Sequence, residues 1–270
     1  MEEKIIISLT SYAHRLTNLP AVLNTIYAQT VPPDLVVLNL AYNEVLPDKV
    51  KKYLEEHSVE VNRVPDTKVY KKIIPTLKKY PNDCIICIDD DFLYPEGMIE
   101  DFIEMHKKYP NNPISGTNYL CQRIMTLYHN GCAALVKFDY FNGQLDMIDE
   151  DLMKNCPSSD YVFTYFANKA NHPYVKTKEI YHIKTMKQFN EGLAYTASFN
   201  GESGPKTLTY LEKRFGKIDN NFFKGYIDDG PIAEIIGIIY KEQQSRYDSI
   251  VNSKTYRFAQ KLQRIIRIFK

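Results

Sequence analysis

The chain has 270 residues, 44% of them hydrophobic and 25% charged, with a formal net charge of +1. This length fits one large α/β domain, or one domain with a C-terminal extension, and the composition excludes a globally disordered polymer. The near-neutral total, with residues 254–270 contributing +6 and the rest of the chain −5, excludes a general nucleic-acid binder.

In chain order, residues 5–9 are a short apolar run that reads as a strand, followed by a polar loop over 10–18 and helical spacing over 19–28. Residues 35–40 form a second buried strand, 47–56 a polar helix, and 59–64 an alternating third strand. Helical spacing returns over 69–79, with Pro75 as a kink or break. A fourth strand at 84–88 precedes a helix at 95–109 with a proline in its first turn. Strands alternating with helices predict parallel βαβ units in a doubly wound sheet, where ligands sit beyond the carboxyl ends of the strands. The loops 10–15, 39–43, 64–72 and 89–94 are therefore the candidate binding loops.

The second half is less regular. A strand is expected at 132–138, a helix at 158–170, and short strands at 174–177 and 180–183. Residues 186–204, rich in Asn, Gly and Ser, read as a flexible loop, with closing helices at 231–250 and 255–269. The expected organisation is a domain over 1–228, divided into halves at 110/111, and a helical extension over 229–270.

Five cysteines (Cys84, Cys87, Cys121, Cys132, Cys156), odd in number and irregular in spacing, form no disulfide framework. Cys84 and Cys87 lie three apart in an apolar strand and so point to opposite faces, unlike a redox pair at a helix start. The N-terminus lacks a signal-peptide pattern, and no apolar run reaches the roughly 18–20 residues of a membrane span, so a cytoplasmic protein is expected.

Asp89, Asp90 and Asp91 directly follow the apolar run 84–88. Like charges that close oppose one another's ionisation, and a cation is the usual relief. If the chain stays extended, Asp89 and Asp91 face the same way and suit one Mg²⁺ or Mn²⁺ ion, with positions left for phosphate oxygens. The alternative is a solvated acidic turn capping the next helix.

The residues Ile5-Ile6-Ile7-Ser8-Leu9-Thr10-Ser11-Tyr12 with Arg15, then Gln29-Thr30, Lys71-Lys72-Ile73-Ile74-Pro75, and Ile88-Asp89-Asp90-Asp91 with Tyr94-Pro95, resemble bacterial family 2-like glycosyltransferases over about residues 4–170. Enzymes of this family build capsule, lipopolysaccharide and related surface glycans. The resemblance implies a GT-A fold, a mostly parallel Rossmann-like sheet flanked by helices, and a nucleotide-diphosphate sugar donor such as a UDP-sugar. It places Thr10, Tyr12 and Arg15 in the nucleotide pocket, Asp66 on the base or ribose, Lys72 near the diphosphate and Asp90 on the ribose or sugar. Asp91 with Asp89 holds the metal, and His182 is the candidate third ligand. Asp160, in Ser158-Ser159-Asp160, matches in part the carboxylate that deprotonates the acceptor hydroxyl in inverting enzymes; many relatives carry two acids there, and this chain has one. An ordinary helix-start aspartate is the alternative for Asp160, a packed histidine for His182, and solvated helix charges for Lys71 and Lys72. Asn190 and Asn200 are lid candidates.

Cations and apolar residues recur on separate faces of 254–270, an amphipathic pattern that suits an anionic lipid surface carrying a lipid-linked glycan acceptor, or else a packed final helix. Competing functions are an Asp-x-Asp phosphatase, a sugar nucleotidyltransferase and a non-catalytic carbohydrate-binding protein. The first places its motif after the first strand, the second needs a glycine-rich loop where residues 10–18 have no glycine, and the third is separated by donor turnover. Retention of configuration remains open beside inversion.

Overall fold

The computed structural model describes residues 3–116, 118–119, 127–128, 133–177, 184–185, 203–218 and 253. The chain divides into two units, Met1–Tyr226 and Ile227–Lys270; only Ser253 of the second is among the described residues.

The first half alternates strands and helices: β1 (Ile5–Thr10), α1 (Leu19–Tyr27), β2 (Leu35–Ala41), α2 (Asp48–Glu56), β3 (Glu60–Val64), α3 (Ile74–Lys79), β4 (Cys84–Ile88), β5 (Phe92–Leu93) and α4 (Met98–Lys108). The second half adds β6 (Ile114–Ser115), β7 (Asn118–Tyr119), β8 (Leu127–Tyr128), β9 (Ala133–Val136), α5 (Glu150–Asn155), α6 (Ser159–Lys169), β10 (Val175–Lys176), β11 (Lys184–Thr185) and α7 (Ser203–Phe215). Seven strands form one sheet in the order β10-β6-β9-β4-β1-β2-β3. The pairs β1–β2, β2–β3, β1–β4 and β10–β6 are parallel, and β9 runs antiparallel between β4 and β6. This is a mixed, mostly parallel α/β sheet of Rossmann-like type. Every residue of β4 is buried, as a central strand covered on both faces requires.

Several local expectations change. The helix read over 69–79 is two pieces, a 3-10 turn at Lys68–Lys72 and then α3, with Pro75 in the first helical turn where its missing N–H costs nothing. The helix after β5 begins at Met98, so Pro95 belongs to the preceding loop and its carbonyl takes a hydrogen bond from the Gln29 amide. Residues 13–18, read as loop, coil into a 3-10 turn. The helices α5 and α7 were not expected. The loop read over 186–204 gives way at Ser203 to α7, where Pro205 sits in the first turn and is tolerated, and Leu208 and Leu211 bury one face. Arg214 on α7 pairs with Asp149, which also caps α5 by accepting from Leu152 N. Tyr165 on α6 donates to Gly216 O at 2.6 Å, fixing the end of α7 to that helix. The segments 180–183, 186–202, 231–250 and 255–269 lie outside the described residues.

Candidate functional site

Because β1, β2, β3 and β4 run parallel, the loops leaving their carboxyl ends share one edge of the sheet. Asp89 leaves β4, and the chain turns at Asp90 and Asp91 before β5. Strand alternation therefore does not govern where the three carboxylates point. Asp90 and Asp91 share Arg15: its Nη2 pairs with Asp90 Oδ1 and lies 2.8 Å from Asp91 Oδ2. Asp89 turns to Lys72, with Oδ1 2.7 Å from Nζ. Asp90, Asp91, Lys71 and Lys72 are all buried, so the two lysines are not solvated helix charges. In such a water-poor setting each charge depends on its partner. Two protein cations are thus the first relief for the three aspartates.

The surrounding residues hold this arrangement. Tyr94 clamps the Asp89 peptide: its hydroxyl accepts from Asp89 N at 2.8 Å and donates to Asp89 O at 3.1 Å. Gln29 donates to Thr25 O and Pro95 O and accepts from Ile99 N, tying the loop after β5 to α1. Beneath Lys72, the Ser8 hydroxyl donates to Lys72 O at 2.6 Å. Asn39 donates to Ser8 Oγ at 3.1 Å and Thr76 Oγ1 at 2.8 Å, and accepts from Asn62 at 2.8 Å. Thr10 donates to Asn39 O at 2.7 Å. Tyr12 lies under the Arg15 guanidinium, 5.6 Å from ring centre to Cζ. Asp66 accepts from Lys68 Nζ at 2.5 Å and pairs with Lys71.

Asp160 lies in the first turn of α6. Tyr70, buried in the turn before α3, donates to Cys156 O at 2.6 Å and so ties the Lys72 segment to the approach to α6. Burial works against the Lys72 ammonium, but the carboxylates of Asp89 and then Asp160 outweigh it and raise its pKa to about 12. Asp160 therefore acts electrostatically on the same lysine that holds Asp89. Burial pushes the Asp90 carboxyl up to about 6 against the pull of Arg15, and Asp89 and Asp91 add to the rise. Asp91 also rises, through burial and then Asp89. Partial burial pushes Asp66 up, but hydrogen bonds from Lys68 and Lys71 prevail and bring it down to about 2.

Asp90 Oδ2 and Asp91 Oδ1 are buried with no hydrogen-bond partner, and so is Arg15 Nε. Arg15 occupies one oxygen of each carboxylate and leaves the other open. Buried carboxylate oxygens without donors suit a hard divalent ion, so these residues fit Mn²⁺ or Mg²⁺. The candidate third ligand, His182, lies outside the described residues, as do Asn190 and Asn200.

The structure brings Arg15, Lys72, Asp89, Asp90, Asp91 and Asp160 into one electrostatic system, with Thr10 at the end of β1 and Tyr12 in the loop that follows it. Asp66 faces Lys68 and Lys71 instead. Lys71 as the buried partner of Asp66, and the polar set of Ser8, Asn39, Asn62 and Thr76, were not read from sequence as parts of the site. Polar Ser8 and Asn39 inside apolar runs were the available signal.

No protein-family model matches the chain, and no curated protein matches it. Among solved structures it is similar to a mannosyltransferase from Pyrobaculum calidifontis in complex with GDP-Man and Mn²⁺, at 13% identity and a TM-score of 0.56, covering 97% of this chain and 84% of that one. It is also similar to a 4-diphosphocytidyl-2C-methyl-D-erythritol synthase (14% identity, TM-score 0.44, 66% of this chain and 90% of that one). A cytidylyltransferase from Leptospira borgpetersenii serovar Hardjo-bovis matches at 16% identity and a TM-score of 0.43, over 82% of this chain and 98% of that one. The likeness to the mannosyltransferase is one of fold, and it makes the architecture GT-A-like.

Proposed function

We propose that the chain is a glycosyltransferase that moves a hexosyl group from a nucleoside-diphosphate sugar to a hydroxyl of a glycan or lipid-linked glycan. One observation carries this reading: a half-buried Arg15 and a buried Lys72 are held on three aspartates at the carboxyl end of β4, with Arg15 Nε and one oxygen each of Asp90 and Asp91 left open. A diphosphate supplies acceptors for Arg15 and Lys72. The open oxygens of Asp90 and Asp91, with Asp89 and His182 as further candidates, would hold Mn²⁺ or Mg²⁺, which when bound supplies Lewis-acid assistance to the departing diphosphate. Thr10, Tyr12 and Asp66 are assigned to the nucleotide.

Asp160 takes the proton of the acceptor hydroxyl. The acceptor oxygen bonds to the anomeric carbon as that carbon's bond to the diphosphate oxygen breaks, and the electron pair leaves with the nucleoside diphosphate. A single displacement of this kind inverts configuration. The 3-10 turn after β1, with no glycine and with Arg15 directed at Asp90 and Asp91, favours this reading over nucleotidyl transfer.

The donor half is assigned to residues 1–110, the acceptor half to 111–228, and the basic segment 254–270 to an anionic lipid surface. No helix among the described residues is long and apolar enough to cross a membrane. Equal vesicle flotation with and without 254–270 would remove the lipid assignment.

The deciding experiment is calorimetric titration of UDP and of GDP in the presence of Mn²⁺, GDP being included because the mannosyltransferase of like fold was solved with GDP-Man. Metal-dependent binding of one nucleotide, lost in Asp91→Ala and in Lys72→Met, is the expected result. Absence of binding by both nucleotides, with and without metal, would overturn the proposal.

A further inference from the structure

The edge of the sheet opposite the aspartates gathers a second set of ligand atoms. Glu3 precedes β1, Cys84 opens β4, and His106 lies in the last turn of α4. One ligand atom from each lies within 4.8 Å of both others, the only such group of three among the described residues. Glu3 Oε2 is the shared point, 3.1 Å from Cys84 Sγ and 3.2 Å from His106 Nε2. Cys84 is buried, while the side chains of His106 and Glu3 are 15% and 35% exposed.

The hydrogen bonds around His106 fix which nitrogen carries a hydrogen. Tyr140 Oη donates its single hydrogen to Pro110 O at 2.8 Å, so its 3.2 Å contact with His106 Nδ1 requires the hydrogen to be on the ring nitrogen. In the neutral ring Nε2 then carries the lone pair and is directed at a carboxylate oxygen, whereas the imidazolium would donate Nε2–H to it. With the ring neutral, Nε2 and Oε2 are two acceptors that need a positive centre between them, either a proton or a metal ion, and the Cys84 S–H that donates to the same Oε2 supplies a third ligand atom. Lys137 does not supply the positive centre, because its ammonium pairs with the other oxygen, Glu3 Oε1.

We propose that Glu3 Oε2, Cys84 Sγ and His106 Nε2 bind a zinc-class divalent cation, with solvent in the fourth position. Thiolate and imidazole together select such a borderline-soft ion rather than Mg²⁺ or Ca²⁺. Tetrahedral zinc geometry spaces nitrogen and oxygen ligands by roughly 3.3 Å, and sulfur and oxygen ligands by roughly 3.6 Å. The corresponding separations here, 3.2 Å and 3.1 Å, need to open by only a few tenths of an ångström. On binding, the Cys84 S–H bond breaks, the metal–sulfur bond forms, and the proton passes to solvent. The ion's two charges are balanced by the thiolate and the Glu3 carboxylate, and Lys137 stays on Oε1. The Nδ1–H contact to Tyr140 is the outer hydrogen bond that orients a ligand imidazole. The ion would tie the residue before β1 to β4 and α4, away from the donor edge.

The test uses the full chain, stripped with chelator and titrated with Co²⁺ and then Zn²⁺. The expected result is a thiolate-to-cobalt charge-transfer band that saturates at one equivalent, proton release, displacement of the band by Zn²⁺, and a higher Tm with Zn²⁺. Cys84→Ser removes the band, Glu3→Gln and His106→Gln weaken cobalt binding by at least about tenfold, and Cys156→Ser leaves it intact. Glu3 is partly exposed and outside the core, so Glu3→Gln reports even where Cys84→Ser fails to fold. Absence of a stoichiometric band, or cobalt binding unchanged in both Glu3→Gln and His106→Gln, overturns the proposal and leaves a hydrogen-bonded set that shares a proton.

Discussion

At the carboxyl end of β1 and β4, three aspartates meet Arg15 and Lys72, and the side chains of Arg15, Asp90, Asp91 and Lys72 are at most 16% exposed. At the amino end of the same two strands, Glu3 meets Cys84, His106 and Lys137, and Glu3 is 35% exposed. The first end carries more charge with less water to screen it. Its cations also come from separate stretches of chain, Arg15 from the turn after β1 and Lys72 from the turn before α3. Charge balance there couples loops that no backbone hydrogen-bond ladder joins. At the amino end solvent reaches the carboxylate, and loss of one partner is absorbed more easily.

The largest effect that would test this contrast is Arg15→Met. The variant leaves Asp90 and Asp91 buried without their shared cation, a loss of about 3–5 kcal/mol in urea denaturation. Mn²⁺ should restore more stability to the variant than it adds to the unaltered chain, because the oxygens that Arg15 occupied are freed. A loss within about 1 kcal/mol, the range of exposed ion pairs, would mean that water reaches these carboxylates and that the two ends do not differ.

Asn39→Leu comes next. It removes the donor shared by Ser8 and Thr76 and the acceptor of Asn62, leaving buried hydroxyls short of partners. The expected cost is about 1–3 kcal/mol, measured in the same denaturation series. Since Ser8 also holds Lys72 O, nucleotide affinity should fall with stability. An Asn39→Leu protein of full stability would remove this network from the account of how Lys72 is held.

These cases also separate what was legible in the sequence from what was not. β1 to β4 were legible because each is an apolar or alternating run bounded by polar residues, and β4 was legible as a buried strand because Cys84–Ile88 has no polar face to show to water. The aspartates were legible as costly. Their partners were not. A count of like charges says that relief is needed without saying which cation arrives, and Arg15 is 75 residues from Asp90. The extended-chain argument for Asp89 and Asp91 could not foresee the turn at Asp90-Asp91 that sends Asp89 to Lys72 and the others to Arg15. Cys84 was legible as a core thiol. Its neighbours Glu3 and His106 come from chain 81 and 22 residues away, and only the fold assembles them.

At the amino end, Glu3→Gln in metal-free protein should change stability by no more than about 1 kcal/mol, because the carboxylate is partly solvated and the amide can still accept from Lys137. Set beside Arg15→Met, this variant measures the contrast directly. A cost as large as that of Arg15→Met would show that partial exposure does not soften the amino-end cluster.

The smallest effect is one of pH. Asp66, on the rim of the donor edge, titrates near 2 in the folded chain because Lys68 and Lys71 outweigh its partial desolvation. A carboxylate whose folded pKa lies below its ordinary value of 3.8 contributes stability that is fully present above that value. The contribution is lost as pH falls towards the folded pKa. Between pH 4 and about 2 the unfolded chain therefore binds a proton that the folded chain resists, and stability declines. Asp66→Asn should flatten this part of the acid limb while leaving its shape above pH 5 unchanged. Since the carboxylate is 37% exposed, solvent screens much of the interaction and the change in slope should be modest. An acid limb identical in the two proteins would place Lys68 and Lys71 on Asp66 too loosely to perturb it.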